Sequence, residues 1–219
     1  MQPTRHRYDA KLATILRKAS AIFAEKGYDG ASIRDISAAT EVSLSGLYYY
    51  FKSKEELLFL IQKHCFDTLI ERLTEDLIGV DDPVDRLGGI VRNHLRFFVD
   101  NMSEMKVLSH EADALTGEYQ AQISARKREY VAAVQSCIDE LALDQDAADR
   151  RVATFALFGM MNWIYTWYRP GQDVTVDRLS TDVLQIFLGG VGAGIPKEGP
   201  VSAAASAPEK TSIMDRLIV

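Results

Sequence analysis

Apolar side chains recur at helical spacing in the N-terminal part of the chain. The pattern i, i+3, i+4, i+7 begins at Leu12 and continues through Ile15, Leu16, Ala19, Ile22 and Phe23. Because this spacing places all of them on one face, it predicts an amphipathic helix, which ends at Gly27. The apolar face is expected to pack into the protein core.

Two short helices are predicted directly after this one. Ser32 is a favourable N-cap and Asp35 stands where a carboxylate closes a capping box, so a helix is expected from Ser32 to about Thr40. A tight link follows at 41–43, and a second short helix is predicted from its end through Tyr50. Two short helices joined in this way form the helix-turn-helix arrangement, whose second helix enters the major groove of DNA.

The rest of the chain also shows helical patterning. Ser53 with Glu56 begins a long helix that is predicted to end at Gly79, and Asp82 with Pro83 is a second start signal. Further helices are predicted at 83–101, 103–115, 118–143, 146–167 and 176–191. No segment alternates apolar and polar residues with a period of two, so the sequence predicts an all-α protein of about nine helices.

Composition divides the chain into three parts. A helix-turn-helix domain is predicted at 1–52, a larger helical domain at 53–192, and a flexible tail rich in Gly, Pro, Ala and Ser at 193–219. No apolar run is long enough to span a bilayer, and the N-terminus carries no apolar signal segment. The two cysteines, Cys65 and Cys137, are too few for a disulfide framework. We therefore expect a cytoplasmic protein without membrane association.

Charge is distributed unevenly along the chain. The whole chain has 25 Lys and Arg against 31 Asp and Glu, a net charge of −6. Residues 1–54 contain nine of the basic residues and five of the acidic ones, a balance of +4, so the remaining 16 and 26 give −10. A basic N-terminal quarter on an acidic body indicates a small polyanion-binding domain.

The second short helix carries four aromatic residues in succession. Leu47 and Phe51 are i, i+4 neighbours that can pack inward, which turns Tyr48 and Tyr49 outward. A tyrosine hydroxyl can reach a phosphate, and its ring can pack on a sugar or a thymine methyl. The aromatic run therefore predicts both an anchor for the short helix and part of a DNA-binding surface.

The segment around these helices resembles the DNA-binding domain of the TetR family of bacterial regulators. The stretch GYDGASIRDISAATEVSLSGLYYYFKSKEEL carries the family's marker positions, which are Gly27, Ser32, Val42-Ser43, Gly46, Leu47-Tyr48, Tyr50-Phe51, Ser53-Lys54 and Leu57. The resemblance covers about the first quarter of the chain. It implies an all-helical homodimer with three N-terminal helices for DNA and a larger C-terminal domain for ligand binding and dimerisation.

The resemblance also implies which residues contact operator DNA. They are Ser32, Arg34, Ser43, Leu44, Ser45, Gly46, Tyr48, Tyr49 and Lys54. Tyr48 and Lys54 match habitual phosphate contacts, whereas Arg34 and the stretch 43–46 would face bases. Residues 44–46 offer few hydrogen-bonding groups, so base readout is expected to depend on Arg34, Tyr49 and DNA shape.

The C-terminal domain contains an aromatic and Met-rich segment, FALFGMMNWIYTWYRPG, at 155–171. In the TetR family the last two helices pair with those of the second subunit, and a glycine allows close approach. The resemblance therefore implies a dimer interface that contains Gly159, Trp163, Leu184 and Phe187.

The same segment, with LSTDVLQIFLGGV further on, resembles TetR regulators of fatty-acid or sterol catabolism that release DNA on binding acyl-CoA thioesters. Such a ligand requires an apolar tunnel, for which the candidates are Leu95, Phe98, Met102, Met105, Leu108 and Phe158. It also requires cations for its phosphates, for which the candidates are Arg126, Lys127, Arg128, Arg150, Arg151 and Arg169. Each of these charges is, on its own, more typical of a solvated helix face.

Other functions receive less support from the sequence. His64, His94 and His110 are not spaced as metal ligands, and no nucleophile–base pair or Gly-rich phosphate loop is present, so no cofactor and no enzyme activity are expected. The sequence therefore predicts a homodimeric repressor that a small hydrophobic effector, such as an acyl-CoA, releases from double-stranded operator DNA. An efflux regulator that senses varied apolar compounds is the alternative, and an all-α carrier or enzyme is a rival of a different class.

Overall fold

The computed structural model describes the backbone of residues 3–111, 113–141 and 147–192. These residues form nine α-helices and no strands: α1 (Pro3–Gly30), α2 (Ile33–Thr40), α3 (Leu44–Leu47), α4 (Lys54–Asp76), α5 (Pro83–Asp100), α6 (Met102–His110), α7 (Gly117–Glu140), α8 (Ala147–Asn162) and α9 (Val176–Gly192). The prediction of an all-α fold is confirmed. The tail predicted at 193–219 lies outside the described residues.

The first helix is interrupted near its end. Gly27 has φ 74° and ψ 160°, a conformation that a residue with a Cβ rarely adopts, so the regular helix ends where the sequence predicted. The backbone N–H of Tyr28 then donates to Glu111 Oε1 at 2.9 Å. Because Glu111 follows α6, this bond joins the end of α1 to the C-terminal domain.

The two short helices are capped as the sequence predicts. Ser32 forms a complete capping box with Asp35, and Ser43 accepts a hydrogen bond from the backbone N–H of Gly46. The second helix is shorter than predicted, since α3 ends at Leu47 and the N–H groups of Tyr50 and Phe51 both bond to the Leu47 carbonyl. This tight turn carries Phe51 into the core.

The boundaries of α4 and α5 follow their predicted start signals. Ser53 caps α4, and Asp82 caps α5 with Pro83 at the first helical position. The Glu56 carboxylate accepts from the N–H of Lys52, one residue earlier than in a regular capping box. α4 leaves the helix-turn-helix and continues into the larger domain, so both parts share one helix.

The last part of the fold differs from the prediction. The helix predicted at 146–167 ends at Asn162, and a 3₁₀ turn (Trp163–Thr166) follows it. The turn buries Ile164 and leaves Trp163 exposed. Tyr168 then donates its hydroxyl to the Val174 carbonyl at 2.8 Å, which closes the loop to α9.

One continuous core runs through both parts of the molecule. α1 packs against α2, α6 and α4; α4 packs against α5 and α7; and α5 packs against α9. No helix in the described part of the chain is long and apolar enough to cross a membrane. The helix-turn-helix is therefore attached to the larger domain through α1, α4 and α6.

Candidate nucleic-acid interface and internal cavity

The outer surface of α3 is formed by the residues that the sequence placed there. Leu47 and Phe51 are buried, whereas Tyr48 is 52% exposed and Tyr49 is 73% exposed. Leu44 and Ser45 are exposed beside them, and the hydroxyls of Ser43 and Ser45 lie 3.2 Å apart. The aromatic run therefore divides into an inward pair and an outward pair.

The neighbours of Gly46 leave no room for a side chain at this position in α3. A Cβ at this position would lie 2.9 Å from Val42 Cγ1 and 3.2 Å from Ser43 Oγ. A side chain here would disturb the N-cap of α3, because that cap is the same Ser43 hydroxyl. The absence of a side chain also leaves the backbone open to whatever docks on α3.

Two further candidate DNA contacts, Ser32 at the N-cap of α2 and Arg34 within it, differ in whether their side chains already have protein partners. Arg34 is exposed and makes no hydrogen bond or ion pair within the described part of the chain. Ser32 is engaged in the capping box, where its hydroxyl donates to Asp35 at 2.6 Å. Asp35 also pairs with Lys26 at 2.6 Å, and the bonds from Lys26 and Ser32 lower the pKa of the Asp35 carboxyl. Arg34 is thus the free cation of α2.

Lys54 lies in a setting that the sequence did not reveal. Its ammonium donates to the Tyr28 carbonyl at 2.8 Å and to the Ala31 carbonyl at 3.2 Å, and lies 4.4 Å from the centre of the Tyr28 ring. These contacts hold the start of α4 on the chain between α1 and α2. A phosphate contact by Lys54 stays a prediction, and it would have to share the ammonium with these partners.

Tyr8 of α1 makes aromatic contacts with Tyr49, one of the two outward tyrosines, and with its neighbour Tyr50. Tyr8 stacks on Tyr50 with ring centres 5.0 Å apart and meets the edge of Tyr49 at 5.7 Å. The sequence analysis missed this residue. Tyr8 lies four residues before Leu12, so extending the apolar stripe by one turn would have found it.

A cavity lies inside the larger domain, between α4, α5, α6, α7 and α8. It is lined by Cys65, Phe66, Leu69, His94, Phe97, Phe98, Met105, Leu108, Tyr130, Phe158 and Asn162. Four of the six predicted apolar residues line it, namely Phe98, Met105, Leu108 and Phe158. Leu95 is buried elsewhere in the core, and Met102 is half-buried outside the cavity wall. The volume of the cavity is only about 20 Å³.

Three polar side chains meet at one wall of this cavity. His94 Nδ1 lies 3.1 Å from the Tyr130 hydroxyl, and His94 Nε2 lies 2.9 Å from Asn162 Oδ1. Burial lowers the pKa of His94 to about 4, against the opposing effect of the Asn162 bond, so the ring is neutral near pH 7. With the amide oriented in this way, Nε2 carries the proton and Nδ1 accepts from Tyr130.

The predicted cationic residues do not line the cavity. Arg126 pairs with Asp67 at 3.1 Å and with Glu129 at 2.8 Å, Lys127 is buried, and Arg128 is exposed. Arg150 lies 3.8 Å from Asp139, Arg151 lies over the Phe155 ring, and Arg169 donates to the carbonyls of Tyr168 and Thr166. The structure therefore does not bring these six residues together around the cavity.

The surface predicted for dimerisation has an exposed apolar face. Gly159 is exposed with open space above it, and Trp163 is 64% exposed. Leu184 is half-buried, with its Cδ2 close to Gly88 of α5. Phe187 does not fit the prediction, because it is only 3% exposed and packs into the core of its own chain. Its neighbour Ile186 is 65% exposed instead.

A metal site is not indicated by the geometry. In the residues that the structure describes, no group of three or more His, Cys, Asp or Glu side chains could hold a metal ion. The two described thiols, Cys65 and Cys137, are free and buried, and burial raises the pKa of each.

Two family models match the sequence. The model described as "Bacterial regulatory proteins, tetR family" matches residues 15–61, and the model described as "Tetracyclin repressor-like, C-terminal domain" matches residues 80–191. The first match spans the helix-turn-helix, and the second spans α5 to α8 and nearly all of α9.

Individual relatives match over most of the chain. The HTH-type transcriptional repressor KstR2 of Mycobacterium tuberculosis is 25% identical over 201 residues, which are 87% of this chain and 96% of that protein. The structure of a TetR-family regulator from Bordetella parapertussis 12822 is 35% identical with a TM-score of 0.76, covering 81% of this chain and 93% of that chain. AibR, solved in complex with isovaleryl coenzyme A and operator DNA, is 29% identical with a TM-score of 0.71, covering 80% and 97%.

Proposed function

Because the chain belongs to the TetR family of DNA-binding transcriptional regulators, we propose that it is a homodimeric repressor whose affinity for operator DNA is lowered by an acyl-CoA thioester. The family and its relatives are regulators and not enzymes. The proposal has three parts, which concern the DNA surface at 1–52, the dimer face, and the effector site within 53–192.

The DNA surface is proposed to consist of α3 and the exposed part of α2. Tyr48 and Tyr49 are exposed in the turn directly after α3, and Arg34 is exposed on α2 without a protein partner among the described residues. An unpaired guanidinium next to the helix that enters the groove suits bidentate contact with guanine, while tyrosine hydroxyls suit phosphates. In a twofold dimer, the two copies of α3 would enter successive major grooves about 34 Å apart.

The dimer is proposed to form through α8, the following 3₁₀ turn and α9. Three large apolar side chains are exposed there, Val152, Trp163 and Ile186, and Gly159 leaves room for a helix to approach closely. Large exposed apolar side chains on helices that also pair in related regulators suit an interface between subunits. Phe187 would act from within the protomer, by supporting α9 from the inside.

The effector is proposed to place its acyl chain in the internal cavity, and this cavity is the observation that carries the proposal. Its walls are mostly apolar, and the neutral His94 with Tyr130 and Asn162 offers hydrogen-bonding groups for a thioester carbonyl. The AibR complex with isovaleryl coenzyme A supports this effector class. The space of about 20 Å³ holds about one water molecule, so binding must separate the surrounding helices.

The widening of the cavity that ligand binding requires would link the effector site to the DNA-binding surface. Cys65, Phe66 and Leu69 line the cavity and belong to α4, so an inserted chain would displace α4. The first residue of α4, Lys54, is bonded to the carbonyls of Tyr28 and Ala31 in the DNA-binding part. Displacing α4 would therefore change the separation of the two copies of α3. Tenfold weaker DNA binding needs about 1.4 kcal/mol of coupling between the two sites.

The test is a titration of the protein–operator complex, followed by fluorescence anisotropy. The operator is first isolated by selection from random duplexes. Acetyl-, isovaleryl-, octanoyl- and palmitoyl-CoA are compared with the matched free acids and with coenzyme A. We expect at least one thioester to release DNA at a much lower concentration than either of its fragments. No release by any acyl compound would reject this effector and favour a sensor of varied apolar compounds.

A further inference from the structure

A second, larger opening lies between the DNA-binding part and the effector domain. It is a cleft formed by α1, α4 and the corner between α5 and α6, and it is lined by Ala13, Thr14, Leu16, Arg17, Ser20, Ile61, His64, Cys65, Thr68, Arg72, Phe97, Asn101 and Glu104. The cleft has a volume of about 320 Å³, compared with about 20 Å³ for the internal cavity. The cleft therefore has room for a bulky polar group.

The cleft and the internal cavity are neighbours. Cys65 and Phe97 line both spaces, so these two buried side chains form the wall between them. Both residues belong to helices that must separate when the cavity widens, α4 and α5. A ligand that displaced Phe97 would therefore extend from the cleft into the apolar cavity without leaving the protein.

Cationic and hydrogen-bonding side chains line the cleft from two helices. Arg17 comes from α1, and His64 and Arg72 come from one face of α4. All three are exposed, and none makes a hydrogen bond or ion pair within the described residues. Partial burial of the ring lowers the pKa of His64; the charge of Asp67 opposes this effect, and the charges of Lys63 and Arg72 add to it. A neutral imidazole can still donate one hydrogen bond to a phosphate. Two unpaired guanidiniums facing one cleft suit a polyphosphate.

One acidic residue also lines the cleft. Glu104 is half-buried at the start of α6, and burial raises the pKa of its carboxyl, while the charge of Arg17 partly opposes this effect. The carboxylate has no cation within ion-pair distance among the described residues. Its negative charge would repel an anionic ligand. Removing this charge should therefore strengthen ligand binding, whereas removing either arginine should weaken it.

We propose that this cleft binds the phosphorylated nucleotide half of the effector through Arg17 and Arg72, while the acyl chain passes between Cys65 and Phe97 into the internal cavity. This proposal rests on the proposed function, and it places the phosphates of the ligand in the cleft. It differs from the sequence prediction, whose candidates for the phosphates are Arg126, Lys127, Arg128, Arg150, Arg151 and Arg169. Arg126 lines a separate surface pocket that shares no residue with the cavity, and it is already paired with Asp67 and Glu129.

The position of Arg17 gives this subsite a direct route to the DNA surface. α1 carries Arg17 and also Tyr8, which packs on Tyr49 and Tyr50 behind α3. A polyphosphate held between Arg17 on α1 and Arg72 on α4 would fix the relative position of those two helices. The nucleotide half therefore contributes to the release of DNA as well as to affinity.

The experiment measures ligand binding to the DNA-free dimer by isothermal titration calorimetry, with octanoyl-CoA, coenzyme A and octanoate as probes. The variants Arg17→Ala and Arg72→Ala are compared with Arg92→Ala, which removes an exposed and unpaired cation of α5 outside the cleft. The variant Arg128→Ala tests one of the six cationic residues predicted from the sequence. All four arginines are exposed, so the variants are expected to fold.

We expect Arg17→Ala and Arg72→Ala each to weaken octanoyl-CoA and coenzyme A binding about tenfold and to leave octanoate unchanged, because only the first two probes carry phosphates. Arg92→Ala and Arg128→Ala should bind all three probes as the wild type does. Glu104→Gln should instead strengthen the binding of the two phosphorylated probes, since it removes a negative charge without changing the side-chain shape. Stronger binding in Glu104→Gln together with weaker binding in the arginine variants would exclude a general loss of structure as the cause.

Two outcomes would overturn the inference in different ways. If the wild-type protein binds octanoyl-CoA and the Arg17 and Arg72 variants bind it equally well, the phosphates lie elsewhere and the proposed effector class stands. A tenfold loss in Arg128→Ala would identify the alternative place. If the wild-type protein binds neither octanoyl-CoA nor any other thioester of the panel, the proposed function fails and the cleft has no such role.

Discussion

Because the imidazole of His94 is buried, we expect the free energy of unfolding to depend on pH. An ordinary histidine has a pKa of 6.5, and burial lowers that of His94 to about 4 in the folded chain. Because the folded pKa lies below the unfolded one, the unfolded chain takes up a proton first as the pH falls. Stability that is fully present above pH 6.5 is therefore lost progressively as the pH approaches 4. The sign is a loss of stability in acid.

The size of the effect follows from the difference between the two values. A gap of about 2.5 pH units corresponds to about 3 kcal/mol when the full range is crossed, and to about 2 kcal/mol between pH 7.5 and pH 5. The group is fully buried, so solvent screening does not reduce this figure much. Against a total stability of about 5–15 kcal/mol, a change of this size is easily measured.

The assay is urea unfolding at both pH values, followed by far-ultraviolet circular dichroism at one fixed protein concentration. The variant His94→Gln keeps a polar side chain but cannot titrate, so it should lose about 2 kcal/mol less than the wild type on acidification. His110→Gln removes an exposed histidine and is the matched control. Equal acid losses in the wild type and His94→Gln would show that His94 is not held neutral in the core, and would refute the reasoning about the cavity wall.

Three further predictions concern the DNA surface and the dimer. Arg34→Ala should cost about 1–3 kcal/mol at particular base pairs, whereas Tyr48→Phe should weaken binding to all duplexes alike, as measured by anisotropy on a set of single-substitution operators. Lys54→Met should lower the thermal unfolding temperature, because it removes the bonds to the Tyr28 and Ala31 carbonyls, and should change the salt dependence of DNA binding little. Gly159→Arg should yield monomers in light scattering, with much weaker operator binding, since it fills an open position on the apolar face.

Each of these has an outcome that would contradict it. Uniform losses over all duplexes for Arg34→Ala would make this residue a backbone contact only. A reduction of the salt slope by about one counterion in Lys54→Met, with unchanged thermal stability, would restore the phosphate contact that the sequence implied. A Gly159→Arg protein that remains dimeric would place the interface on another face. Arg92→Ala removes an exposed cation of α5, outside α3, α8 and α9, and is a common control.

The sequence by itself determined the local features of this protein. The stripe that begins at Leu12, the caps at Ser32 and Asp82, and the inward and outward division of the aromatic run all agree with the structure. These features depend on side chains three or four positions apart and on backbone groups within one turn. Such interactions are formed by any helix of this sequence, whatever surrounds it, so spacing alone predicts them.

The tertiary structure decided which residues form the sites. The sequence indicates only that His94 is not spaced as a metal ligand, whereas the packing supplies its partners Tyr130 and Asn162, which are 36 and 68 positions away in the chain. The Lys54 ammonium donates to the Tyr28 carbonyl near the end of α1, and Phe187 is buried in the core of its own chain. The cationic residues of α7 and α8 were candidates by composition, whereas Arg17 and Arg72 meet the cleft only because α1 packs beside α4. A cavity is the space left between helices that are distant in sequence, and its lining depends on how they pack, which the period of a single helix does not specify.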